Sequence, residues 1–274
     1  MRTSNPALND KVFEQARGQA AAETAPGWAA GRSLEDAYNA PAYRGPVTGE
    51  DTMTLNGVVW ASAALLVLLI AAGVFGWNSV DHTLDTVTMP GWLPIVLIGG
   101  LATAVLTIFK PKLARFTAPI YALLEGALLG AISALYNSAY DGIVVQAVAL
   151  TAGVFAVMLF LFATRVIKVT DKLRMGIVAA TGAVMLLYLA NLVLSLFDAN
   201  IPFLHSTGAV GIGVSLLIVG VAAFNLLLDF DFVERGVEAG APRHMEWYAA
   251  FGLLVTLIWL YLELLRLLAK LQRR

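Results

Sequence analysis

The sequence predicts an all-α integral membrane protein, a bundle of seven transmembrane helices. Three observations carry that prediction. Of 274 residues, 59% are hydrophobic and only 14% are charged, against about 25% charged in a soluble domain. The apolar residues gather after residue 54 in seven segments, each near the length of about 20 residues that crosses a hydrocarbon core. The connections between them are short, and three of them carry no lysine or arginine. With no water to satisfy backbone groups in lipid, each segment must be helical. Other classes fall away at the same time. A net charge of −1 offers no basic field to nucleic acid. The absence of cysteine excludes disulfides, thiolate metal sites and a cysteine nucleophile.

Residues 1–53 read as a flexible extramembrane tail, rich in Ala, Gly and Pro and carrying seven carboxylates. They lack the apolar core of a signal peptide, and a short amphipathic helix is compatible with residues 7–20. The spans follow at about 54–77, 92–109, 116–136, 143–164, 175–197, 208–229 and 246–268. Together they make one domain over 54–270, with a short tail at 271–274. Short connections predict antiparallel packing of successive helices.

Basic residues orient the chain. The tail has Arg2, Lys11, Arg17, Arg32 and Arg44; the loop after the second span has Lys110, Lys112 and Arg115; the loop after the fourth has Arg165, Lys168, Lys172 and Arg174. Arg235 and Arg243 follow the sixth span. By the positive-inside rule the amino terminus is cytoplasmic, which fits a multi-pass protein of the cytoplasmic membrane. Seven crossings then put Arg266, Lys270, Arg273 and Arg274 outside, against the same rule; a re-entrant last segment is the alternative.

An acidic group at the bilayer centre costs about 2.5–3.5 kcal/mol on insertion scales, so each needs an explanation. Glu125 lies mid-span in PIYALLEGALLGAIS, with no cation at i±4. It is either a cation or proton site facing the bundle interior or a protonated, hydrogen-bonded packing residue. Gly126 and Gly130 beside it form a GxxxG pair that admits a close neighbouring helix. Gly208, Gly211 and Gly213 read as packing too, since no strand precedes them and no lysine follows. The sixth span ends in NLLLDFDFVERG. Asp231 can reach Arg235 one turn on, a surface ion pair. Asp229 faces the other way and shares a polar stripe with Asn225, of the kind that lines a protein interior or wet cavity. In the seventh span Glu263 can pair with Arg266 at i+3, and Thr256 lies on the same face. The fifth span carries a similar line, Tyr188, Asn191, Ser195 and Asp198, suited either to a permeation path or to interhelical hydrogen bonding.

Catalysis finds no support. His82, His205 and His244 are far apart and match no metal-ligand spacing. There is no GxSxG or GxxxxGK, and the short loops cannot fold a catalytic domain. No resident cofactor is implied.

The tail, the short-looped spans, PIYALLEGALLGAIS, the IPFLHSTG loop and LLLDFDFVERG, in that order, resemble the Bax inhibitor-1 (TMBIM) family, closest to its bacterial YccA-like branch, over about residues 54–270. The resemblance implies six helices around a central seventh and a pH-sensitive calcium leak. The family's proposed gate is a pair of aspartates, one ending the sixth helix and one in the seventh. Asp229 matches the first. Aligning LLRLL places Thr256 at the second; aligning LYLE places Glu263 there. Lys110 is the nearest match to a basic residue thought to touch the pair. Because threonine cannot ionise, Asp231, Glu125 or Glu246 are the carboxylates left to pair with Asp229.

Three functions follow from these expectations. The first is a proton-sensitive calcium leak in which Asp229 and Glu125 transiently ligate the permeant ion, since calcium takes about six to eight oxygen ligands and close carboxylates cannot both ionise easily. The second is a modulator that binds a membrane quality-control protease. The third is a proton-coupled cation transporter.

Overall fold

The computed structural model describes residues 52–273, apart from 83–86, 89, 198 and 200. The expected tail helix at 7–20 lies outside the described residues. Seven long helices follow in order: α1 Leu55–Asn78, α2 Leu93–Phe109, α3 Ala114–Ala139, α4 Ile143–Ala163, α5 Asp171–Ser195, α6 Ala209–Glu238 and α7 Met245–Gln272. Six are long and apolar enough to cross a membrane. The second, α2, is the shortest at 17 residues, a rise of about 25 Å, at the lower limit for a span. The IPFLHSTG loop holds one helical turn, Pro202–His205. A small antiparallel ladder pairs Asp81 with Thr88 and His82 with Val87 in the α1–α2 connection.

Local chemistry explains most of the boundaries. Thr54 caps α1, its hydroxyl accepting from Gly57 N at 2.9 Å, and Thr170 caps α5 in the same way through Leu173 N at 3.2 Å. Proline stands in the first turn of α2 and opens the 3₁₀ turn Pro111–Leu113 before α3, where its missing N–H is no loss. Gly240, at φ 63°, ends α6 in the left-handed region that glycine adopts without steric penalty. Asp171 and Arg174 fall within α5 and Asp231 to Arg235 within α6, so both helices extend past the spans read from hydropathy.

The last helix sits at the centre. α7 packs against α6, α1, α4 and α3 and supplies buried side chains to three separate clusters. Ala249, Leu253, Leu260 and Leu264 meet α6; Ala250, Phe251, Leu254 and Ile258 meet α1 and α3; Leu265 and Ala269 meet α4. α2 packs on α3, and α5 on α6, at the periphery. The outward faces of α1, α2, α4 and α5 expose large apolar residues such as Trp60, Ile98, Val145 and Leu186, as lipid contact requires.

Successive helices are not always neighbours, contrary to the expectation. The extended contact of α1 is with α3 and α7 rather than α2. The reason is the glycines. A Cβ on Gly130 would stand 1.9 Å from Gly73 O, one on Gly126 2.3 Å from Leu69 O, and one on Gly76 2.0 Å from Ala127 O. Backbone meets backbone along two parallel helices, the approach that small residues permit where lipid supplies no hydrophobic drive. Replacing Gly130 with Ala should therefore force α1 and α3 apart and cost about 1–3 kcal/mol. Gly153→Ala on α4, where a Cβ meets nothing within 4 Å, should be neutral. Thermal unfolding of the two variants in detergent checks the difference.

Candidate functional site

Polar side chains on α5, α6 and α7 form two groups separated along the axis of α7. The first lies in the half of the bundle near the α6–α7 connection. Asn225 Nδ2 donates to Thr181 Oγ1 on α5 at 2.7 Å and to Val221 O at 2.8 Å. One turn on, Asp229 faces α7, its Oδ1 3.9 Å from where a Cβ on Gly252 would sit. The Thr256 hydroxyl, which donates to Gly252 O at 3.2 Å, lies alongside the carboxyl. Asp229 Oδ2 is buried and has no hydrogen-bond partner among the described residues. No other carboxylate oxygen is buried in that condition among them.

Around this group the other acids are paired. Asp231 accepts from Arg174 Nη2 at 2.6 Å and from Arg235 Nε at 3.1 Å. Glu234 takes the guanidinium of Arg165. These pairs brace the end of α6 against the start of α5 and the α4–α5 connection. Glu246 lies 7% exposed at the start of α7. It accepts from Thr54 N at 3.0 Å and from Thr54 Oγ1 at 2.9 Å, so it takes up donors at the start of α1. Gly57 makes room for it, since a Cβ there would fall 2.0 Å from its carboxylate. Met53 N donates to Ala241 O at 2.7 Å and Thr52 bridges Pro242. Thr52 and Met53, assigned to the tail from sequence, are thus held against the α6–α7 connection.

The second group lies beyond it on α7. Glu263 is seven residues from Thr256, about 10 Å along the helix. It is 2% exposed and accepts from Tyr188 Oη of α5 at 2.6 Å and from Arg266 Nη1 at 3.0 Å. Arg266 also reaches the Tyr188 hydroxyl and stacks over its ring, 5.0 Å from the centroid. Lys270 Nζ donates to Gly211 O at 3.1 Å and Ser215 Oγ at 2.8 Å, both at the start of α6. Arg273 Nε donates to Tyr140 Oη at 2.5 Å. These contacts carry the end of α7 to the α3–α4 and α5–α6 connections, so the helix crosses fully and does not re-enter.

The sequence-derived candidates therefore separate. Thr256, not Glu263, stands beside Asp229. Glu125 faces α2, its Oε2 3.2 Å from where a Cβ on Gly100 would sit, and no bond joins it to Asp229. Lys110 is exposed at the end of α2 and is not brought to the pair. Asp231, Glu246 and Glu263 have partners of their own. The polar line on α5 divides as well: Tyr188 goes to Glu263, Asn191 Oδ1 accepts from Ile201 N at 3.1 Å, and Ser195 returns to Leu192 O at 2.7 Å. Asp198 and the side chains of His82 and His205 lie outside the described residues. Among the described residues no three His, Asp or Glu side chains gather to hold a metal ion.

A family model described as Bax inhibitor 1 like matches residues 5–273. The chain belongs to the Bax inhibitor 1-like family. No curated protein matches it. In this Bax inhibitor 1-like chain the pairing in α7 gives a direct test of what holds the central helix. Glu263→Leu should leave Arg266 without its carboxylate and cost about 3–5 kcal/mol, while Glu263→Leu with Arg266→Leu recovers most of that loss. A double-mutant cycle on thermal unfolding in detergent measures the coupling. Separately, Glu246→Ala should strip the start of α1 of an acceptor and cost about 1–2 kcal/mol in the same assay.

Proposed function

We propose that the protein is a proton-sensitive cation leak channel of the cytoplasmic membrane, with calcium as the permeant ion and Asp229 as the titrating group. The observation that carries this reading is the buried, unpartnered Oδ2 of Asp229 on a membrane-crossing helix. Intramembrane carboxylates are costly and are normally paired or functional, and Asp231 and Glu234 on the same helix both hold arginines. Asp229 instead faces Gly252 and Thr256 on the central helix. Protonation changes whether a charge sits at the α6–α7 contact, and so how tightly the two helices close.

Family membership supports a channel-like role in the membrane. With Thr256 opposite, the latch uses one carboxylate and a hydroxyl instead of two carboxylates. A permeating calcium ion would meet the Asp229 carboxylate, the Thr256 hydroxyl and backbone carbonyls, oxygen donors of the kind it takes. The basic residues of residues 1–53 and of the α2–α3, α4–α5 and α6–α7 connections favour a cytoplasmic amino terminus. In that orientation Asp229 lies toward the cytoplasmic end of α6.

The test is calcium flux into dye-loaded proteoliposomes at about pH 6 and pH 8, on either side of neutrality. The full chain should give flux that differs between the two. Asp229→Asn is neutral at both pH values and should erase the difference, with the protein still inserted. A pH dependence that survives the substitution removes Asp229 from the mechanism, and no flux above empty liposomes at either pH removes the channel.

A further inference from the structure

At the end of the bundle opposite the α6–α7 connection, a cavity of about 820 Å³ opens between the last turns of α3, the helical turn Pro202–His205 and the end of α7. Its volume is within the range of small-ligand sites, about 300–1,000 Å³. Three of its lining residues are cations, Arg266, Lys270 and Arg273, and two more are Tyr136 and Tyr140. Among the described residues the lining contains no carboxylate. Glu263, just beneath, already serves Arg266. Asp141, next along the chain from Tyr140, is exposed and does not line the cavity. Lys270 and Arg273 therefore bring to the cavity two positive charges that form no ion pair with a carboxylate among the described residues.

Their partners make this charge unusual. Lys270 is 6% exposed and binds only a carbonyl and a serine hydroxyl, neutral acceptors for a charge drawn out of water. Two of its three protons are thereby used. The hydrogen bonds of Arg266 to described residues all leave through Nη1, and that of Arg273 through Nε. Nε and Nη2 of Arg266, both Nη groups of Arg273 and the third Lys270 proton remain for an acceptor at the cavity.

We infer that this cavity is a binding site for a phosphate group, held by Arg266, Lys270 and Arg273 with the Tyr136 and Tyr140 hydroxyls beside it. Two guanidinium forks and an ammonium offer more donors than the two oxygens of a carboxylate can use. A phosphate presents at least as many oxygens as there are cations, and arginine matches its geometry. The remaining wall is apolar, with Leu135, Leu204 and Ala269. The cavity lies where the apolar spans end, the level at which tyrosines and lipid headgroups meet. The same chemistry is presented by inorganic phosphate and by the headgroup of an anionic phospholipid.

Thermal unfolding of the full-length protein in detergent distinguishes these sources. It is titrated with inorganic phosphate or with short-chain phosphatidylglycerol, against sodium chloride at equal ionic strength and short-chain phosphatidylcholine. A saturable rise in Tm with both ligands assigns the site to the phosphate group itself; a rise with phosphatidylglycerol alone assigns it to a lipid headgroup. In either case Arg273→Gln, at the exposed rim, should weaken apparent affinity about tenfold, and Lys270→Gln at least as much. The proposal is overturned if neither ligand exceeds its control, or if Arg273→Gln responds as the wild type does. The rim variant decides alone if Lys270→Gln does not fold.

Discussion

The central position of α7 is possible only because every charge it carries into the bundle is met by another helix. Glu246 is taken up by the start of α1, Glu263 by Tyr188 of α5, and Lys270 by the start of α6. Each of these groups is largely withdrawn from water, and leaving one unmet would cost more than at a soluble surface. The six surrounding helices are correspondingly simple. Their outward faces are largely apolar, and several of their hydroxyls fold back on their own carbonyls, as Thr151 does to Ala147 O at 2.7 Å.

Against that background of paired charge, Asp229 differs. It lies on the same helix as Asp231 and Glu234, within five residues of both, yet those two hold arginines from elsewhere while it holds none. Residues two apart on a helix point in different directions. Asp231 thus turns to the start of α5, where Arg174 waits, and Asp229 to the apolar centre. The contrast is one of direction, written by the DFD spacing itself.

Much of the architecture was legible in the sequence. The seven segments follow from hydropathy, a close helix approach at α3 from the Gly126–Gly130 spacing, though not that α1 is the helix that makes it, and the Asp231–Arg235 and Glu263–Arg266 pairs from helical periodicity. All of these are local or nearly local properties. What could not be read are partners supplied by distant segments. Arg174 meets Asp231 across 57 positions and Glu246 meets Thr54 across 192. Lys270 falls past the last span read from hydropathy, which fades near residue 268, whereas the helix runs on to Gln272 and turns the lysine inward. Glu125 and Asp229 share a residue class and a membrane setting, and nothing in the sequence alone says that they face different helices.

The clasp between Thr54 and Glu246 also bears on how the chain is made. The first helix is synthesised and inserted long before residue 246 leaves the ribosome. Until then its opening turn lacks the carboxylate that will occupy it, and the gap beside Gly57 has nothing to fill it. The domain is therefore closed in a ring, its first span completed only by the arrival of its last. A chain stopped after α6 would leave the axis of the bundle without the helix that fills it.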